Sequence, residues 1–520
     1  MSPKRAILLT ELLKNAGVTP LDVLGNSRVM VTGISINARR TARNEMFIAV
    51  RGTKTDSHML LSEAVDAGAG VLLVDREEVG SYPGVTVVRV ADTRQAIGHI
   101  AHAFINNPAR AMNVCGITGT NGKTSTSHFV YRMLLAAGRK PGVIGTLGAF
   151  FADRTIPLHN TTPGAQELAE IFREFDMHHV DSVVMECSSH AIDQGRINGI
   201  PFRCGALTNI TQDHLDYHGS FNEYANCKER FFVDHVAPTP GSVACFNMDD
   251  ESGVAFSRRY QGDQLRFSAK ENAKHEVTAS NIVTRVSATE FTLRIEEKTA
   301  RVTTQLVGSF NISNMLAAAA CAHSLGVSFD VIAGALEKMP PVPGRFEIIN
   351  VGQPFTVIVD YAHTPDALER VLRFARQQCA SGRMLVTFGC GGDRDRGKRP
   401  IMGKVAGDQA DFVIITSDNP RTEDPSLIAR QVLEGLLKSK LKSNRYYINI
   451  DRGSAIEMAL TMASPGDVVV IAGKGHEDYQ DIGTKRIPFD DREVARSVLR
   501  ELLGNFAQVE PLQTFREPIA

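Results

Sequence analysis

Gly116-Ile117-Thr118-Gly119-Thr120-Asn121-Gly122-Lys123-Thr124-Ser125 is the stretch that most restricts what this chain can fold into. A short apolar run, Val114 to Ile117, leads into it, and a segment of helical spacing follows and stops near Gly138. A strand, a glycine-rich turn and a helix in that order aim backbone N–H groups and a helix N-terminus at phosphate. Lys123 adds a mobile positive charge for the outer phosphates, and the Thr124 hydroxyl a hard oxygen for Mg²⁺. The strict pattern G-x-x-x-x-G-K-[ST] is missed by one place, because Ile117 stands where its first Gly belongs. Gly116 and Gly119 still supply the turn, so the stretch reads as a variant phosphate loop and not as a plain surface turn.

A chain of 520 residues has room for three domains of roughly 100–200 residues each. A net charge of −1 does not draw the whole molecule to nucleic acid or to anionic membrane, so an anionic substrate has to be gripped by local cations. The eight cysteines, at 115, 187, 204, 227, 245, 321, 379 and 390, contain no C-x-x-C pair. They read as reduced core residues of a cytoplasmic protein, not as a disulfide frame or zinc site. Glu11 and Lys14 interrupt the N-terminal segment Met1 to Gly17, which reads as a surface helix and not a signal peptide. No run approaches the ~18 apolar residues of a membrane span.

Residues 1–92 mix short strands (Met46 to Val50, Val71 to Asp75) with a helix over Met59 to Ala67, a small α/β domain. Residues 93–341 alternate strand and helix around the phosphate loop, which predicts a mostly parallel sheet. Glu186 closes the apolar run Asp181 to Glu186, at the strand end where a nucleotide-bound Mg²⁺ expects an acid. The loop Thr211 to His218 pairs two His at i and i+4, but Leu215 stands where a zinc protease needs Glu. Thr289 to Glu296 alternates cleanly, so Glu276 to Leu306 is expected to be an antiparallel excursion at the sheet edge, and Asn311 can serve as an N-cap for the helix after it. Pro340 to Gly344 is the linker. Residues 342–520 then carry five strands separated by helical segments, a second, Rossmann-like doubly wound domain. Arg394 replaces the last Gly of G-x-G-x-x-G, which rules out an NAD site there. Asp360, Arg394, Asp418-Asn419-Pro420-Arg421 and Lys474-Gly475-His476-Glu477 fall at strand ends, a face suited to a zwitterionic ligand.

These motifs, in this order and spacing, resemble the Mur ligases, ATP-dependent amino-acid-adding enzymes of peptidoglycan synthesis. The resemblance runs from about Thr93 to Leu502. It rests on Gly119-Thr-Asn-Gly-Lys-Thr124, Asn160-Thr-Thr162, Glu186-Cys-Ser-Ser-His190, Asp213 to Gly219 with Lys228, Asn311 to Asn314, Pro343-Gly-Arg345, Asp360-Tyr-Ala-His363, Gly389 to Arg399, Asp418 to Arg421 and Gly473 to Glu477. It is strongest for the branch that adds meso-diaminopimelate to UDP-N-acetylmuramoyl-L-alanyl-D-glutamate. The resemblance implies that Gly119, Thr120, Asn121, Gly122, Lys123, Thr124 and Ser125 hold the ATP phosphates, while Asn311, Arg345 and Asp360 meet adenine, γ-phosphate and ribose. Thr124 and Glu186 would bind one Mg²⁺. Lys228, carbamylated in relatives, would hold a second with His214 alongside, and Lys123, Lys228 and His214 form the implied catalytic set. Asn160, Thr161, Thr162, Ser188, Gln194 and Arg196 resemble contacts to the UDP-sugar dipeptide. Arg394, Asp418, Asn419, Pro420, Arg421, Gly473 and Glu477 resemble those to diaminopimelate.

Two departures lie near the N-terminus. Asn37-Ala38-Arg39 stands for the family's D-S-R and Asp56-Ser57-His58 for D-G-H, so Ala38 offers the uridine only its backbone. Relatives that add lysine lack the Arg at position 421. Diaminopimelate differs from lysine by one carboxylate, which a guanidinium fork can bind through two hydrogen bonds. The competing readings are a lysine-adding relative, a folylpolyglutamate synthetase, and a nucleotide-binding ATPase that transfers no acyl group. A monomer acting on small molecules is expected, with neither nucleic acid nor membrane as partner.

Overall fold

The computed structural model describes residues 6–52, 55–285, 288–379 and 382–507; the first residues of the N-terminal helix expected over Met1 to Gly17 lie outside them. The helix runs Leu9–Ala16 and closes on Gly17 in the left-handed region (φ 64°), after a two-residue strand at Ile7–Leu8. The chain forms two compact units. One comprises residues 1–210, 222–284 and 288–339; the other comprises 211–221, 285–287 and 340–520.

Besides the two-stranded pairing of Ile7–Leu8 with Met30–Val31, the first unit holds two sheets. The smaller has five strands in the order Asp22–Leu24, Thr86–Arg89, Val71–Val74, Met46–Ile48, Ile34–Ser35. Its side chains divide with the period of two that strands impose. Met46, Ile48, Val71, Leu73 and Val88 face one core with Ala96, Ile97, Ile100 and Ala103 of the helix Thr93–Phe104. Phe47, Leu72, Val74 and Val87 face another core with Leu61 and Ala64. The helix at Thr93 therefore packs on the N-terminal sheet, although the pattern of strands and helices assigns it to the segment that follows.

The larger sheet has eleven strands. Its parallel centre runs Pro141–Gly145, Ser182–Glu186, Asn113–Thr118, Phe202–Leu207, Val243–Asn247. The antiparallel excursion expected over Glu276 to Leu306 forms one edge, as strands Val277–Thr284, Thr289–Ile295 and Lys298–Thr304. A hairpin at the opposite edge, Gly148–Phe151 with Arg154–Ile156, has no clear sequence pattern of its own. The helix after the excursion starts at Ser309 with Gly308 as its N-cap, so Asn311 lies in the first turn and is not the cap. All eight cysteines are buried and free. Among the described residues no helix is long and apolar enough to cross a membrane.

The second unit is built on a six-stranded sheet, and its parallel strands end together. Asp360 pairs with Ala472, Ala472 with Phe388, and Phe388 with Ile415. Val357, Val359, Leu385, Ile414, Val469 and Ile471 point to one face, where Ile456, Leu460 and Leu499 cover them. Each such side chain adds about 1.5–3 kcal/mol by leaving water.

The helices Lys398–Gln409 and Pro425–Leu436 touch backbone to backbone. A Cβ on Gly435 would stand 1.7 Å from the Pro400 carbonyl oxygen. Gly435→Ala is expected to destabilise the chain by about 1–3 kcal/mol through overpacking. Denaturant unfolding measures this, and a change below about 0.5 kcal/mol would show that the helices separate at little cost.

Candidate active site

In the first unit the phosphate loop leaves the strand Asn113–Thr118 and enters the helix Lys123–Ala136. Two of its glycines are required by shape. Gly119 sits at φ +144° with the Thr208 hydroxyl 2.0 Å from where a Cβ would be, and Gly122 sits at φ +86° against Asn314. Asn209 braces the turn from the neighbouring strand end: its Oδ1 accepts from the Asn121 amide (3.0 Å), and its Nδ2 donates to the Asn121 carbonyl (3.0 Å). Tyr224 reaches Thr120 Oγ1 at 3.0 Å. Ser125 is buried in the first helical turn. Lys123 Nζ donates to the Gly119 and Thr120 carbonyls, both at 2.8 Å, folding back over the loop it belongs to.

Lys228, 1% exposed, also aims at this loop, with Nζ 3.0 Å from the Gly119 carbonyl. Two ammonium groups thus converge on one carbonyl oxygen.

Glu186, 1% exposed, lies at the carboxyl end of its strand. Its Oε2 accepts from the Thr124 and Thr146 hydroxyls, each at 3.0 Å, and its Oε1 from the Thr146 amide at 2.8 Å. This buried set of hard oxygens suits Mg²⁺. Thr146 has no motif of its own and was not legible in the sequence. Thr161 touches Thr146 (3.2 Å between hydroxyls), and Thr162 donates to the Glu186 carbonyl (2.7 Å) and to Ser188 Oγ (3.1 Å). Arg196 is clamped on Gln194 Oε1 (3.0 and 2.7 Å) and donates to the Thr162 carbonyl (2.8 Å). The expected residues Thr124, Thr161, Thr162, Glu186, Ser188, Gln194 and Arg196 thus form one bonded group, with Asn160 next to it in sequence. Asn311 is buried and donates to the Val307 carbonyl (2.8 Å), and Ala38 is buried in a short turn capped by Asn37.

His214 belongs to the second unit, with residues 211–221, whereas Lys228 belongs to the first. It adopts φ 54° and lies 3.4 Å from the Asp213 carboxylate. Also in the second unit, the Arg345 guanidinium lies 4.2 Å above the Tyr361 ring. Asp360 accepts from the Phe346 and Ala362 amides (2.6 and 2.7 Å), and burial raises its pKa.

The strand ends of this unit gather the other expected residues. Lys474, fully buried, bridges Asn419 Oδ1 (3.0 Å) and Glu477 Oε2 (2.8 Å), and Asn419 Nδ2 reaches the same Glu477 oxygen (2.8 Å). Burial, and then the neighbouring Asp418, raises the Glu477 pKa. Gly473 faces Asp418 Oδ2, which a Cβ there would meet at 2.6 Å. Arg421 Nη1 donates to the Gly392 carbonyl (2.7 Å) and Arg394 Nη1 to the Asp393 carbonyl (3.0 Å). Both guanidinium groups donate to neutral acceptors. Pro420 holds the turn between Asn419 and Arg421.

Beneath these loops Arg452 and Asp491 form a fully buried pair, with two bonds of 2.7 Å. Arg452 also donates to the Ser417 (3.1 Å) and Ala472 (3.0 Å) carbonyls, tying two loop-bearing strand ends together. Sequence spacing gave no sign of this pair, because its partners are 39 residues apart.

The model for the Mur ligase middle domain matches residues 117–322, and that for the Mur ligase, glutamate ligase domain, residues 344–475. A UDP-N-acetylmuramoyl-L-alanyl-D-glutamate--2,6-diaminopimelate ligase of Caldanaerobacter subterraneus is 39% identical, over 92% of this chain and 97% of its own. The protein of that name from Geobacillus kaustophilus is 41% identical, over 91% and 95%. A solved structure of a ligase with the same name superposes with TM-score 0.67 at 30% identity, covering 96% of this chain and all of the other.

Asp491→Asn is expected to cost about 3–5 kcal/mol, because it strands the buried Arg452 charge. Chemical denaturation reads the loss. A cost below about 1 kcal/mol would place the pair among exposed, weakly coupled ions.

Proposed function

The chain belongs to the Mur ligase family, and from that premise we propose that it joins meso-diaminopimelate to the D-glutamate of UDP-N-acetylmuramoyl-L-alanyl-D-glutamate, using ATP. It is an amide-bond-forming ligase of peptidoglycan synthesis. The observation that carries the choice of amino acid is the pair Arg394 and Arg421, two guanidinium groups on facing loops, each resting on a neutral carbonyl. A second carboxylate on the incoming amino acid gives such a group a partner, and lysine does not. The relatives at 39% and 41% identity carry this activity in their names. Domains at 1–92, 93–341 and 342–520 are part of the proposal.

A carboxylate is a poor acyl donor, since its leaving group would be oxide. In the proposed sequence the D-glutamate γ-carboxylate attacks the γ-phosphorus and ADP departs. The amine of diaminopimelate then attacks the acyl carbon, and inorganic phosphate leaves as the amide forms. Lys123 neutralises charge on the transferring group, and the loop amides hold the phosphates in place. Thr124 and Glu186 would hold Mg²⁺, which when bound offsets negative charge on the phosphates. Glu477 and Asp418 orient the ammonium end of diaminopimelate, while Arg394 and Arg421 orient a carboxylate.

Lys228 is proposed to act as its carbamate, formed from the neutral amine and CO₂ with loss of one proton. Its burial against the Gly119 carbonyl of the phosphate loop supports this, because the modification would place hard oxygens for a cation there.

ADP release is expected only when the UDP-dipeptide and diaminopimelate are supplied together, with lysine a poor substitute. ADP release that needs neither acid nor amine would make the chain a simple ATPase. Arg421→Ala is expected to lose about 2–5 kcal/mol in kcat/KM for diaminopimelate, and unchanged use would remove the specificity argument. Lys228→Ala should be inactive and partly rescued by a small carboxylic acid; activity without any added acid would argue against the carbamate.

A further inference from the structure

Arg399 and Glu423 touch none of the expected ligand contacts with a spare charge, yet the loops of the acceptor pocket are fastened to them. Arg399 is fully buried at the start of the helix Lys398–Gln409. Its Nη1 donates to Glu423 Oε2 (3.0 Å) and Gln431 Oε1 (2.7 Å), and its Nη2 to Glu423 Oε1 (2.8 Å) and the Gly391 carbonyl (3.0 Å). Glu423 Oε1 also accepts from the Asp393 amide (2.6 Å), and Arg396 approaches Oε2 at 3.2 Å. One buried guanidinium and one carboxylate thus grip the loop that carries Arg394 at two backbone points. Glu423 itself follows Arg421 by two residues on the opposite loop.

The two loops are further interlocked. The Asp393 carboxylate accepts from the Thr422 amide (3.2 Å) and hydroxyl (2.8 Å), and the Gly392 amide donates to the Asn419 carbonyl (2.9 Å). Gly392 passes so near the opposite loop that a Cβ would stand 1.9 Å from the Pro420 carbonyl oxygen. Asp393 and Arg421 are both non-glycine residues held in the left-handed region, at φ 52° and 51°. Such residues cost on the order of 1–3 kcal/mol each and persist only where their surroundings over-determine them. Here the surroundings are the Arg399–Glu423 clamp and its neighbours. The Arg399 guanidinium beside it holds the Glu423 carboxyl down at about 2.

We propose that Arg399 and Glu423 are positioning residues for the acceptor pocket: by clamping loops 389–394 and 418–424 together they fix the separation of the Arg394 and Arg421 guanidinium groups, and with it the preference for an amino acid that carries a second carboxylate. This rests on the ligase reading above. It goes beyond that reading in assigning selectivity to two residues that would not themselves touch the substrate.

The test compares the full-length parent with Glu423→Gln and Arg399→Lys, which keep size and part of the bonding. KM for diaminopimelate, for lysine, for ATP and for the UDP-dipeptide are measured with thermal unfolding alongside. The clamp predicts that KM for diaminopimelate rises about tenfold, as for other residues that orient a binding group from behind. KM for ATP and for the UDP-dipeptide should stay within about twofold, and the preference over lysine should narrow. An unchanged KM for diaminopimelate in a folded variant overturns the proposal. So does an equal rise in every KM together with a falling thermal midpoint, which is what a merely structural pair would give. A parent chain that couples ADP release to a different amino acid ends the diaminopimelate reading on its own, and the KM split is then read with that amino acid. A parent that uses no amino acid ends both.

Discussion

The convergence of two lysine ammonium groups on the Gly119 carbonyl is the constraint around which the glycine-rich loop of the first unit is built. It exists because Gly119 and Gly122 adopt backbone angles closed to other residues, while Thr208, Asn209 and Asn314 occupy the space that side chains would fill. The loop is thereby rigid, positive and lined with amide donors, which is what a polyphosphate needs. A few ångströms of backbone away lies the opposite requirement. Glu186 is a buried carboxylate whose oxygens are already directed by Thr124 and Thr146. Cationic and anionic side chains thus lie at adjoining ends of parallel strands, where a doubly wound sheet leaves room for a ligand.

The second unit handles buried charge in two ways. Where charge is structural it is saturated, as in Arg452 with Asp491. Removing one member of such a set costs far more than the intact set contributes. Arg394 and Arg421, by contrast, donate to neutral backbone carbonyls.

Much of this was legible in the residues. Several parallel strands of both large sheets, among them Ser182–Glu186, Phe412–Ile415 and Val468–Ala472, are mostly apolar runs, and their ends fall where the motifs place acids, lysines and arginines. The edge excursion was visible as strict alternation from Thr289, because that strand is buried on one face only. What escaped was contact between distant positions. Thr146, Tyr224 and Asn209 complete the phosphate site from separate elements and carry no local pattern. Arg452 and Asp491 look like ordinary helix residues until the fold buries them together. The helix at Thr93 was read with the strands that follow it, yet its apolar stripe matches the sheet that precedes it. His214 is joined in sequence to the segment of Lys228, and only the fold shows that residues 211–221 group with the other unit.

The central claim is that nucleotide held on the phosphate loop activates a bound carboxylate by phosphorylating it. Transfer of oxygen tests this most directly. The UDP-dipeptide is prepared with oxygen-18 in the D-glutamate γ-carboxylate and turned over with ATP and diaminopimelate, and the inorganic phosphate released is analysed by mass spectrometry. Attack of the carboxylate on the γ-phosphorus carries one labelled oxygen into each phosphate. Phosphate released without label, while amide still forms, would contradict the account.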